Sequence, residues 1–92
     1  MRILVIEDNA ELTRQIKSTL EHSLYEVDVA YDGEEGLFLG DTEHYDAVIL
    51  DLGLPKIYGI DVLERWRAKG NDVPVLILTS LHTWREKVSG LR

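Results

Sequence analysis

The sequence predicts an open, doubly wound α/β domain, a parallel sheet wrapped by helices on both faces. Three observations lead there. Four short apolar runs, residues 3–6, 27–30, 47–50 and 75–78, are separated by segments of helical period. The first, third and fourth runs lack polar alternation, as expected of strands buried on both faces. The connections are short, and no repeat or low-complexity tract interrupts the alternation of strand and helix.

The first run, Ile3-Leu4-Val5-Ile6, stops at Glu7-Asp8. Asn9 can then cap a helix in which Leu12, Ile16, Leu20 and Leu24, spaced by four, form one buried stripe. After the second run, Asp32-Gly33-Glu34-Glu35 reads as a cap with its glutamate three residues on, opening a helix to about residue 43. Gly36 and Gly40 lie four apart in it. Each glycine costs about 1 kcal/mol relative to alanine in a helix interior, so their shared face is expected to pack closely on the sheet. Phe38 lies off that face and is expected to be exposed. The third run ends in Asp51, and a third helix is expected from about 60 to 69, with Leu63 and Trp66 inward and Gly70 as its stop. Asn71-Asp72 and Pro74 turn the chain into the fourth run, which ends in Thr79-Ser80. Thr83-x-x-Glu86 opens a last helix with Trp84, Val88 and Leu91 on one stripe.

At 92 residues, the chain is expected to be one small domain, 1–92. A content of 45% hydrophobic and 29% charged residues is that of an ordinary globular chain. No apolar run approaches the roughly 20 residues of a membrane span, and the N-terminus lacks the pattern of a secretory signal. With no cysteine there are no disulfides, and a cytoplasmic location is the simplest expectation. The net charge of −7 is uneven: residues 1–51 carry 13 Asp/Glu against 3 Lys/Arg, and residues 52–92 carry 4 against 7. An acidic half opposes nucleic-acid binding by this domain, which depends on cations meeting phosphates. It suits a cation site or a basic protein partner.

In doubly wound sheets, ligands bind outside the carboxyl ends of the strands, beside the point where strand order reverses. Glu7-Asp8, Asp51 and Thr79 all lie at such ends. Singly, each has a plain structural explanation, a turn former, a helix cap or a strand-end hydroxyl. Together they place three carboxylates and a hydroxyl at one edge. Carboxylates so gathered repel one another, and a cation relieves the repulsion. Oxygen ligands without cysteine or histidine favour Mg²⁺, which accepts one or two carboxylates and keeps waters for a phosphate. An aspartate beside that ion can act as a nucleophile and become an aspartyl phosphate, with Thr79 Oγ hydrogen-bonding to a phosphoryl oxygen. His22, His44 and His82 share no ligand spacing and are expected at the surface, while Trp66 and Trp84 are expected to be packing residues.

These residues carry a resemblance. The stretches Arg2-Ile3-Leu4-Val5-Ile6-Glu7-Asp8, Tyr31-Asp32-Gly33-Glu34-Glu35-Gly36-Leu37, residues 46–55 around Asp51, and Val73-Pro74-Val75-Leu76-Ile77-Leu78-Thr79 resemble the receiver domain of two-component response regulators. The similarity is greatest to the subfamily with a winged-helix DNA-binding domain after the receiver, and it covers essentially the whole chain. It implies a flavodoxin-like sheet of order 2-1-3-4, with Asp51 accepting a phosphoryl group from a histidine on a sensor kinase. It further implies that Asp8, Asp51 and the Gly53 carbonyl bind Mg²⁺, that Glu7 assists through water, and that Thr79 is the switch hydroxyl. Such a domain transfers the group to itself and is a switch rather than a turnover enzyme, with DNA contacted only through a C-terminal domain.

The chain departs from the family pattern at Gly53, at Tyr58-Gly59 and at Gly36 and Gly40. It also ends before the family's fifth strand, with its phosphoryl-contacting lysine, and the fifth helix. The expectation is therefore a receiver fragment. Lys56, Lys69 and Lys87 cannot take that lysine's place. An unpaired fourth strand is then expected to promote a homodimer or a segment-exchanged oligomer. Two rivals on related folds fit less well. Phosphatases of the haloacid dehalogenase type need a second acid where Gly53 stands, and a flavin site needs a phosphate loop where Glu7-Asp8-Asn9 stands. A phosphorylation-deficient interaction module stays open as the alternative for the fragment.

Overall fold

The computed structural model of the protein describes residues 1–78. Four strands and three helices alternate along them: β1 (Arg2–Ile6), α1 (Ala10–His22), β2 (Glu26–Ala30), α2 (Gly33–Thr42), β3 (Ala47–Asp51), α3 (Gly59–Ala68) and β4 (Val75–Leu78). The strands form one parallel sheet in the order β2-β1-β3-β4. This is the expected doubly wound order. Thr79, Ser80, His82 and the helix expected after Thr83 lie outside the described residues.

Alternation along the central strands separates two apolar layers, because successive side chains point to opposite faces. Ile3 and Val5 of β1 and Val27 of β2 join Ile16 and Leu20 of α1 on one face. Leu4, Ile6, Val48 and Leu50 join Val62 and Trp66 of α3 and Leu37 and Leu39 of α2 on the other. β1 and β3 thus serve both layers. That explains why their sequences are apolar without interruption.

The helix ends follow their local chemistry. Asn9 accepts a hydrogen bond from the Leu12 N–H at 3.0 Å, and Asp32 one from the Glu35 N–H at 2.8 Å. Gly70 closes α3 at φ +81°, with the Asn71 N–H donating to the Trp66 carbonyl. Phe38 is exposed and Trp66 fully buried, both as expected.

Three expectations need correction. Leu24 does not extend the α1 stripe: the helix stops at His22, and Leu24 takes the left-handed position (φ 69°) that ends it, 89% exposed. The Leu24 N–H donates to the Glu21 carbonyl and the Tyr25 N–H to the Leu20 carbonyl, the paired bonds that terminate a helix. Gly36 does pack on the sheet, against Ile6, but Gly40 packs on the Trp66 indole of α3. Helix α2 leans across a neighbouring helix at its C-terminal end, so the two glycines meet different partners. Finally, the fourth run is not buried on both faces: Leu76 and Ile77 are exposed on β4, which pairs with β3 alone among the described residues, in keeping with the expected unpaired edge.

Candidate functional site

The register of β1 and β3 pairs Ile6 with Leu50. The next residues, Glu7 and Asp51, therefore emerge side by side at the carboxyl end of the sheet, with Asp8 following at the start of the loop to α1. One carboxylate oxygen from each of Glu7, Asp8 and Asp51 lies within 4.8 Å of the others. Among the described residues this is the one such acidic or histidine cluster, and His22 and His44 take no part in it.

Glu7 and Asp51 are buried, at 5% and 6% exposure, while Asp8 faces solvent. Glu7 is held on three sides. Its N–H donates to the Ala30 carbonyl at 3.0 Å, its Oε2 accepts from the Asn9 N–H at 3.0 Å, and its carbonyl accepts from the Thr13 hydroxyl at 3.2 Å. Burial pushes its carboxyl up to about 7 from an ordinary value of 4.5; the hydrogen bond from Asn9 opposes this, and the Asp8 and Asp51 charges add to it. Thr13, fully buried on α1, is a supporting residue that the sequence reading missed. A threonine between Leu12 and Arg14, six residues from Glu7, offers no local signal of that contact.

Asp51 is fixed from its own loop. The Gly53 N–H donates to Asp51 Oδ1 at 3.0 Å, and the Leu52 N–H donates to the Leu78 carbonyl at 3.3 Å. Gly59, at the start of α3, sits so close that a Cβ there would lie 2.3 Å from the Asp51 carbonyl oxygen. Its lack of a side chain lets α3 begin directly beneath the acidic residue.

Three carboxylates this close, two of them buried, form a donor set suited to a hard divalent cation: all oxygen, more charge than their surroundings offset, and a raised proton affinity at Glu7. The structure thus brings Glu7, Asp8 and Asp51 together and joins Gly53 to Asp51 through its N–H, and Thr79 lies outside the described residues. No helix of the described residues is long and apolar enough to cross a membrane.

Comparison with known proteins agrees with the geometry. The model of the response regulator receiver domain family matches residues 3–92. The transcriptional regulatory protein QseB of Haemophilus influenzae is 45% identical over 92 residues, covering 100% of this chain and 42% of that protein. The chain therefore spans about two-fifths of the length of this relative. Among solved structures, the receiver domain of Francisella response regulator 1452 superposes with a TM-score of 0.84 at 34% identity, covering 98% of this chain and 74% of that one. Response regulator TrrA of Thermotoga maritima, solved in complex with Mg²⁺–BeF, superposes with a TM-score of 0.83 at 36% identity, covering 98% and 78%. The order β2-β1-β3-β4, the acidic cluster at its carboxyl edge and a family match across nearly the whole chain converge: the chain belongs to the response regulator receiver domains of two-component signalling.

Proposed function

We propose that Asp51 is the phosphoacceptor of this receiver, taking a phosphoryl group from a phosphohistidine of a sensor histidine kinase in the cytoplasm. The observation that carries this reading is the placement of buried Asp51 at the end of β3 within 4.8 Å of the Glu7 and Asp8 carboxylates. In the transfer, an Asp51 carboxylate oxygen forms the new P–O bond as the P–N bond to the histidine breaks, and the imidazole leaves with the bonding pair. The hydrogen bond from the Gly53 N–H orients Asp51 through one carboxylate oxygen, and the attack is assigned to the other.

Asp8, Asp51 and the Gly53 backbone carbonyl would hold Mg²⁺, with Glu7 assisting through water. When bound, the ion offsets the charge that phosphoryl oxygens bring into an already acidic site. The Mg²⁺–BeF complex of TrrA supports this assignment. Thr79 is proposed as the switch hydroxyl, and output as DNA binding by a domain beyond the 92 residues, in line with the transcriptional role of QseB.

Incubating the protein with a small phosphodonor and Mg²⁺ tests the reading, with the modified residue located by mass spectrometry. Label is expected on Asp51, and is expected to vanish with Asp51→Asn or a chelator. Label that persists in Asp51→Asn refutes the assignment.

Self-association is a second element of the proposal. Leu76 and Ile77 are exposed on β4, the edge of the described sheet, and such an edge favours pairing with a second copy or exchange of segments. Sedimentation across the micromolar range is expected to show a dimer. A monomer throughout overturns it.

A further inference from the structure

The loop from β3 to α3, which carries Gly53, does more than connect. Its tip is fastened to the N-terminus of α2, an element that contributes no residue to the acidic cluster. The Gly33 N–H donates to the Pro55 carbonyl at 3.2 Å, and a Cβ at Gly33 would lie 1.9 Å from the Ile57 carbonyl oxygen, so the two backbones touch. Lys56 reaches across, its Nζ 3.5 Å from Asp32 Oδ2 and 3.9 Å from Glu34 Oε2. Asp32 serves two partners, its Oδ1 capping α2 through the Glu35 N–H and its Oδ2 facing Lys56. Both contacts act together to hold its carboxyl below the ordinary range, with the Glu35 N–H first.

Lys56 also sits at φ +68°, a conformation that disfavours any side chain with a Cβ. A residue kept in that region is held by its surroundings. Here the surroundings are the two carboxylates and the γ-turn of positive φ, centred on Lys56, that is closed by the Ile57 N–H donating to the Pro55 carbonyl at 2.8 Å. On the inner side, Leu54 is buried in the core, so the short segment between Gly53 and Ile57 is pinned at both ends.

We infer that Lys56, through Asp32 and Glu34, is a positioning residue for the cation site: it fixes the loop so that the Gly53 backbone stays in register with Asp51. This rests on the Mg²⁺ reading above. It links the N-terminus of α2 to the phosphoacceptor, although neither Lys56 nor Asp32 touches the cluster.

The test is Mg²⁺ titration by calorimetry, with the thermal midpoint recorded for every variant. Lys56→Gly removes the ammonium and eases the backbone, so its fold is kept. Asp32→Asn/Glu34→Gln removes the facing charge and retains an α2 cap. Each is expected to raise the Mg²⁺ Kd about two- to fivefold, the range an exposed ion pair supports. Their combination is expected to do no more than either, and Lys56→Arg to match the parent. An unchanged or tighter Kd in Lys56→Gly, or effects that add in the combination, overturns the inference. Asp8→Asn and Asp51→Asn separate the two levels: if these leave Mg²⁺ binding intact, the site assignment itself fails, whereas loss there with no effect at Lys56 rejects the positioning role alone.

Discussion

Glu7 and Asp51 stand next to each other at the carboxyl ends of adjacent parallel strands, one residue past the Ile6–Leu50 pair, and both are buried. Glu7 has its carboxyl raised to about 7 from 4.5. In the metal-free protein the fold retains a proton that the unfolded chain releases across that interval. Stability contributed by this group is therefore full below about pH 4.5 and declines as pH rises to about 7, then levels off. Urea unfolding with a chelator is expected to show the midpoint falling over this window. Glu7→Gln is expected to remove that fall, and Mg²⁺ to raise the parent's midpoint at pH values above the window.

The two helix C-termini make a matched pair, Gly70 closing α3 at φ +81° and Leu24 closing α1 at φ 69°. Leu24 is 89% exposed, so its side chain gives up almost no burial when removed. Leu24→Gly is expected to stabilise the protein by about 0.5 kcal/mol, the left-handed penalty less the entropy of glycine. Gly70→Ala, with nothing within 4 Å of the new methyl, is expected to cost about 1 kcal/mol from backbone conformation alone. Thermal and urea melts of both variants check the signs.

Gly40 faces a rigid neighbour. A Cβ there would lie 2.2 Å from Trp66 Cζ2, and Trp66 is fully buried. Although alanine is favoured by about 1 kcal/mol in a helix interior, overpacking against the indole is expected to win, leaving Gly40→Ala about 1–2 kcal/mol less stable. A shift in tryptophan fluorescence should accompany the loss.

Tyr45 closes the opposite end of the sheet. Its hydroxyl donates to Asp28 Oδ2 at 2.7 Å, and its ring lies under the Arg2 guanidinium, 5.0 Å from the centroid. Burial and the Asp28 charge push its ionisation well above the ordinary range. In a spectrophotometric titration its ionisation is expected to lie above the ordinary tyrosine range, and Tyr45→Phe is expected to remove that late step. Tyr45→Phe is expected to cost about 1 kcal/mol, since Asp28 keeps Arg2 as its partner at 2.9 Å.

Much of the site was legible because it is built from strand ends. A carboxylate that terminates an apolar run in a parallel sheet can only emerge at the carboxyl edge, so Glu7, Asp8 and Asp51 converge once the topology is known. Thr13, Tyr45 and Lys56 were not legible. Their partners, Glu7, Asp28 and Asp32, lie 6, 17 and 24 residues away in sequence, and no periodicity records such pairings.

By itself, then, the sequence determined the order of strands and helices, the caps at Asn9 and Asp32, the stop at Gly70 and the strand ends that bear carboxylates. These depend on hydrophobic period and on backbone hydrogen bonds between residues a few positions apart. Tertiary structure alone decided that Gly40 meets Trp66 rather than the sheet, and that the loop after Asp51 is tied to α2 through Lys56. Each of those outcomes depends on which surfaces are pressed together when the layers close. Contact between distant segments is a property of the packed chain and has no counterpart in local sequence.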